Sequence, residues 1–299
     1  MFSLSTLLHL RIPFSFFLMP VYFFALGNSP NFNESRIILS FLLIHFLLYP
    51  ASNGYNSYFD KDEKSIGGLR NPPPVKKGLY FTSLVFDLVA IVLAFRISIL
   101  FSIMIFIYGL ASKAYSHPSI RLKKYPFAGW LVTGFFQGFF TFLMCYQGIN
   151  SLGLDSLLRT EILIPASLTT IMLLGSYPMT QIYQHEEDKK HGDKTISMLL
   201  GIRGTFVFTS VMFALASLGF LIFFNVYYTA GYGIVFLVSL APVLIYFLNW
   251  FRLANRNDGY VTYGRTMWLN FISAMCLNGF FIYFFLDSSQ VLQAIQAGY

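Results

Sequence analysis

Seven of the thirteen acidic residues in this chain fall in two short windows. The first, NGYNSYFDKDEKSIGGLRNPPP from Asn53 to Pro74, holds Asp60, Asp62 and Glu63. The second, QHEEDKKHGDK from Gln184 to Lys194, holds Glu186, Glu187, Asp188 and Asp193. Asn56 and Asp60 stand at i and i+4, so a helix that continues past Pro50 projects both from one face. Gln184 and Asp188 repeat that spacing. Amide and carboxylate oxygens are hard ligands suited to Mg2+, which is usually held by one or two carboxylates together with substrate phosphates. Two such faces set opposite each other would hold metal ions on either side of a diphosphate. The plain alternative for Asp60 and Asp188 is a solvated loop carboxylate, and the paired spacing argues against it. His185 and His191 are six residues apart, which does not place both on one helical face and argues against a zinc pair.

The elements that carry these windows are apolar. Of 299 residues, 56% are hydrophobic and only 11% are charged, against about 25% charged in ordinary soluble domains. The composition is that of an integral membrane protein with no soluble domain, and we expect one domain over residues 1–299. Runs with few charges cover Ile12 to Gly27, Ile37 to Ala51, Leu79 to Phe95, Ile97 to Ala111, Phe127 to Tyr146, Ile162 to Met179, Thr205 to Phe224, Tyr232 to Phe251 and Met267 to Leu286. With their flanks, each is near the ~20 residues that a helix needs to cross the hydrocarbon layer. The expected fold is therefore all-α and polytopic, with nine transmembrane helices. Arg96 alone separates the third run from the fourth, and a tight hairpin is expected there. The N-terminus lacks the order of a signal peptide, since Arg11 follows the first apolar residues, and is read as an uncleaved first span. Cys145 and Cys276 both lie inside apolar runs, so neither a disulfide framework nor a cysteine metal site is expected.

The charges encode topology. Seventeen of the twenty Lys and Arg residues lie at the N-terminus or in the loops after the second, fourth, sixth and eighth runs, and only Arg36, Arg96 and Arg159 lie on the other side. By the positive-inside rule the N-terminus and both acidic windows are cytoplasmic and the C-terminus is outside. The same placement accounts for the net charge of +7 without nucleic acid. The windows sit four spans apart in corresponding positions, which suggests two similar halves. Asp87 lies within the third run, where a charge costs roughly 2.5 to 3.5 kcal/mol on insertion scales, so a buried partner or a function is expected for it. His9 and His45 are read as packed polar residues, and the 19% of aromatic residues mainly as packing and interfacial belts.

Four segments together resemble the UbiA superfamily of intramembrane prenyltransferases. NSYFDKDEK, with Arg70 and the prolines after it, is similar to the family's first aspartate-rich motif, and QHEEDKKHGDKTISMLLG to its second. AYSHPSIRLKKYPFAG, Ala114 to Gly129, is similar to the family's loop after span four, and Arg11 with Pro13 to its R-x-x-x-P start. The chain has Ser57 and Lys64 where the first motif places two of its aspartates, and Gln184 where the second motif opens with one. Asp62, Glu63, Glu186 and Glu187 would substitute by a shift of register, and Lys64 would have to point away from a bound Mg2+.

The resemblance implies a nine-helix UbiA-like architecture and a Mg2+-dependent transfer of a prenyl group from a polyprenyl diphosphate to an aromatic or other lipophilic acceptor, with membrane lipid around it. It implies metal ligands at Asn56, Asp60, Gln184 and Asp188, with Asp60, Asp188 and Tyr115 taking part in catalysis, Tyr115 through its ring face toward a cation. Arg11, Arg70, Lys113, Arg121 and Lys123 are candidates for diphosphate contact, although topology alone explains most basic residues. Two other readings stay open: a terpene cyclase of the same fold, and a non-catalytic protein that binds or transports prenyl lipids.

Overall fold

A computed structural model describes residues 3–291. It is all-helical, and among the described residues there is no strand beyond one isolated bridge between Ile66 and Leu69. In chain order the main helical segments are α1 Leu4–Gly27, α2 Glu34–Asp60, α3 Gly78–Ala94, α4 Ile99–Ser116, α5 Pro126–Asn150, α6 Thr160–Gln181, α7 His185–Lys190, α8 Ile196–Tyr227, α9 Ala230–Ser239, α10 Ala241–Ala254 and α11 Tyr263–Ser288. All nine apolar runs fall on these segments. Seven of them are long and apolar enough to cross a membrane, and α9 with α10, bent by 40°, makes an eighth as a broken span. The remaining run forms α3, a shorter apolar helix of 17 residues. By length and composition alone, seven or eight spans stand out among the described residues, and the ninth apolar run is the shorter helix α3.

The long segments are interrupted where their residues demand it. Pro50 lacks the N–H that an α-helix needs and crowds the carbonyl four residues earlier. In α2 it follows a π-helical stretch, Leu43–Leu48, and the helix then runs on to Asp60. This continuation keeps Asn56 and Asp60 on one face. In α1 the break falls at Arg11, whose φ of 48° is left-handed, and Pro13 stands at the start of the 3-10 segment that follows. In α5 the π-helical stretch Phe135–Phe140 packs against α6, where the N–H of Phe139 donates to Thr170 Oγ1 at 2.8 Å. A Cβ at Gly138 would fall 2.6 Å from Thr170 Cα, so only glycine allows that approach.

In lipid the apolar effect does not distinguish a neighbouring helix from an acyl chain, so association rests on close packing and interhelical hydrogen bonds. Phe24, Phe142, Phe220, Phe224, Phe281 and Phe284 interlock within one large cluster. Trp130 Nε1 donates to the Leu174 carbonyl at 2.8 Å, Thr209 to that of Gly175 at 2.8 Å, and Asn150 to Ser29 at 2.9 Å. The expected hairpin is present, with α3 and α4 separated only by 95–98. Across it, Asp87 on α3 finds its partner in Lys113 on α4. The Lys113 ammonium also lies 5.1 Å from the Tyr55 ring centroid.

Candidate active site

The first window begins as helix and ends as a loop that returns over the N-terminus. α2 stops at Asp60 because Lys61 takes a left-handed conformation, φ 52°. The loop after it is tied to α1 by three hydrogen bonds: Arg11 to the Gly67 carbonyl at 3.1 Å, His9 to that of Pro73 at 2.8 Å, and Ser5 to that of Pro74 at 2.7 Å. Arg11 also donates to the Asn53 carbonyl at 3.3 Å, which pins its guanidinium between α2 and the loop. In the second window Gln184 precedes α7, the Asp188 N–H donates to the Gln184 carbonyl at 2.9 Å, and Gly192 at φ 74° ends the turn. The i, i+4 pairs read from the sequence are therefore real helical pairs.

The two windows face each other in two layers. On the outside, exposed ion pairs join Lys64 to Glu186 at 2.6 Å and Lys190 to Glu63 at 2.8 Å. Lys64 thereby points away from the polar cavity, as its place in the motif requires. Inside, Arg121 donates to both oxygens of Asp193 at 2.9 Å and lies 3.4 Å from Asp60. Lys123 reaches Asp60 at 2.5 Å and Asp193 at 3.5 Å. The loop after α4 thus carries the cations that hold the buried carboxylates of both windows.

A polar cavity of about 280 Å³ opens between these layers. Among the residues expected from sequence, Arg11, Asn56, Asp60, Tyr115, Lys123, Gln184 and Asp188 all line it. Arg121 stands beside it through Asp60 and Asp193. Two candidates lie elsewhere: Lys113 is committed to Asp87, and Arg70 is exposed on the loop outside the cavity wall. Sequence reasoning assigned no role to Asp193, Tyr177, Gln137 or Asn270, which also line the cavity. The last three are polar residues inside apolar runs, the one signal that marked them in advance. The Tyr115 and Tyr177 hydroxyls are hydrogen-bonded to each other.

Crowding of carboxylates shows in their protonation. Burial, reinforced by the charge of Asp60, pushes Asp62 up to about 6, with Lys123 and His191 opposing. Burial, with Asp193, Asp62 and Asp60 nearby, pushes Asp188 up to about 7 against the pull of Lys123. Asp188 Oδ2 is buried without a hydrogen-bond partner. An orphaned carboxylate oxygen among hard oxygen donors is a fit for a divalent cation such as Mg2+. A cation must displace the proton that Asp188 holds, so affinity rises as pH rises through 7. We expect Mg2+ to bind roughly tenfold or more tightly at pH 8 than at pH 6, as measured by calorimetric titration of the purified protein. An affinity that does not vary over that range would show that Asp188 does not ligate.

From this cavity an apolar one of about 120 Å³ continues between α1, α6 and α11. The two share Phe17, Leu18, Leu173, Ser176 and Asn270, so the apolar cavity adjoins the polar chamber.

The UbiA prenyltransferase family matches the chain over residues 16–273, and the protein belongs to that family. Among solved structures, it is similar to a UbiA homologue from Aeropyrum pernix K1 in the apo state, with 18% identity, a TM-score of 0.70, and 91% of this chain and 98% of that one covered. It is similar to a UbiA homologue from Archaeoglobus fulgidus bound to GPP and Mg2+, with 18% identity, a TM-score of 0.65, and coverage of 94% and 99%. A digeranylgeranylglyceryl phosphate synthase structure is similar at 17% identity and a TM-score of 0.61, with coverage of 94% and 98%. At these identities the structural likeness is one of fold. No curated protein matches the sequence.

Proposed function

We propose that this protein is a membrane-embedded prenyltransferase that moves a prenyl group from a polyprenyl diphosphate to an aromatic or other lipophilic acceptor. The observation that carries the reading is a carboxylate-lined and cation-lined chamber that adjoins an apolar cavity. That is the shape of a ligand with a charged head and an isoprenoid tail. The Archaeoglobus homologue that shares the fold binds such a ligand, GPP, together with Mg2+.

In this reading the whole chain is one unit, with its N-terminus and both acidic windows on the cytoplasmic side. Asn56, Asp60, Gln184 and Asp188 would hold Mg2+, which when bound supplies positive charge to a leaving diphosphate. Arg11 and Lys123, which both line the chamber, bind the diphosphate with charge-assisted hydrogen bonds. Arg121 holds Lys123's partners, Asp60 and Asp193, in place. As the bond between the allylic carbon and the diphosphate oxygen breaks, the ring of Tyr115, held by Tyr177, faces the developing cation. The aliphatic and aromatic walls, Phe17, Leu18, Val21 and Leu173 among them, keep water from capturing the cation before the acceptor does.

The test is to incubate purified protein with Mg2+, prenyl diphosphates of graded length and a membrane extract, and to measure the mass of new prenylated species. A prenylated acceptor together with diphosphate release is the expected result. A hydrocarbon formed without any acceptor would establish a cyclase instead. Mg2+-dependent binding of prenyl diphosphate with no turnover on any acceptor would overturn the enzymatic reading.

A further inference from the structure

Asp62, Glu187 and His191 form a group that the proposed reaction does not use. Glu187 and His191 are four residues apart on α7 and its C-terminal cap, and the His191 N–H donates to the Glu187 carbonyl at 3.1 Å, so one helical turn sets both on one face. Asp62 arrives from the other window, two residues past the end of α2. One ligand atom from each of the three lies within 4.8 Å of the other two.

The cluster holds more than proximity. Glu187 is only 5% exposed, and its Oε1 is buried with no hydrogen-bond partner. A buried carboxylate in that state carries a desolvation cost that a nearby cation would offset. Three nearby lysines make their ion pairs with other carboxylates: Lys123 with Asp60 and Asp193, Lys190 with Glu63, and Lys64 with Glu186. His191 Nδ1 stands 3.7 Å from Asp62 Oδ1, beyond hydrogen-bonding range.

We propose that Asp62, Glu187 and His191 bind a divalent ion of the zinc class, at a site separate from the Mg2+ positions. The donor set decides the class. An imidazole nitrogen with two carboxylates suits zinc and the later first-row ions, whereas Mg2+ keeps to oxygen and retains its waters. Three protein ligands leave at least one coordination position for water or another oxygen ligand. Asp62 and His191 also line the polar chamber, so an ion here borders the space that the substrate head would occupy.

The experiment uses the full chain, purified in detergent and stripped of metal, with no prenyl substrate present, so its outcome does not depend on the proposed reaction. Zn2+ is titrated at pH 8 in competition with a chromophoric chelator, with and without millimolar Mg2+. One equivalent is expected to bind, and excess Mg2+ is expected not to displace it. His191→Ala and Glu187→Gln are each expected to weaken binding about tenfold or more. His185→Ala serves as the control and leaves binding unchanged, because His185 is hydrogen-bonded to Ser197 at 2.8 Å, outside the cluster. Should either variant fail to fold, carbethoxylation of the intact protein supplies the second reading: Zn2+ is expected to protect His191, located by peptide mass, against the reagent. No Zn2+ binding by the intact protein, displacement by Mg2+, equal affinity in the folded variants, or unprotected His191 in the presence of Zn2+ would each overturn the site.

Discussion

Asp188→Ala is expected to lower diphosphate release from a prenyl diphosphate by about a hundredfold or more, while leaving the protein at least as stable as before. Both halves of the result follow from the same geometry. Asp188 is half-buried, its carboxyl is pushed up to about 7, and its buried Oδ2 makes no hydrogen bond. Removing it breaks no ion pair and relieves crowding among Asp60, Asp62 and Asp193. Asp60→Ala should abolish release as well, but with a different signature. Asp60 pairs with Lys123 at 2.5 Å and Arg121 at 3.4 Å, so its loss leaves two largely buried cations short of a partner. That variant should lose thermal stability along with turnover. Release assays in membranes beside thermal scans in detergent check both. Full retained turnover in the two variants would remove the acidic windows from the mechanism.

Breaking the Asp87–Lys113 pair has the second large effect, and it falls on the fold. Both side chains are mostly buried between α3 and α4, at 11% and 17% exposure. Asp87→Ala or Lys113→Ala alone is expected to cost about 3 kcal/mol or more, because each strands a charge where water does not reach it. The double replacement Asp87→Leu with Lys113→Met should recover most of that loss, since two apolar side chains need no partner in this setting. A double-mutant cycle read by thermal denaturation measures the coupling. The same variants test the role that the sequence suggested for Lys113. If Lys113 serves only α3 and α4, the stable double variant keeps the KM for prenyl diphosphate unchanged. A KM raised tenfold in that variant would return Lys113 to the diphosphate site.

The windows illustrate how an apparent defect in a motif can be a matter of direction. Lys64 stands at a motif position where an aspartate is expected, yet its ammonium lies on the outer rim against Glu186. His191 showed no partner at the six-residue spacing from His185, and the useful spacing was the four residues back to Glu187. The third member of that group, Asp62, lies 125 residues from Glu187 in the chain and could not be tied to it by any local pattern.

The sequence by itself determined the class of protein, the helices, the helical pairs Asn56 with Asp60 and Gln184 with Asp188, and the family. Hydropathy, i, i+4 spacing and motif order are properties of neighbouring residues, and a helix in lipid must satisfy its own backbone hydrogen bonds wherever it packs. Span number was less legible, because α3 is short and α9 with α10 is bent, features set by packing and by Pro242 at the bend. Only the tertiary structure decided which cations face which carboxylates. Lys113, Lys123 and Arg121 look alike in a loop rich in positive charge, and topology explains all three equally well. Their roles separate when α3 brings Asp87 to one of them and the two windows close around the others, since the Coulomb energy that distinguishes them depends on distances through space, not along the chain.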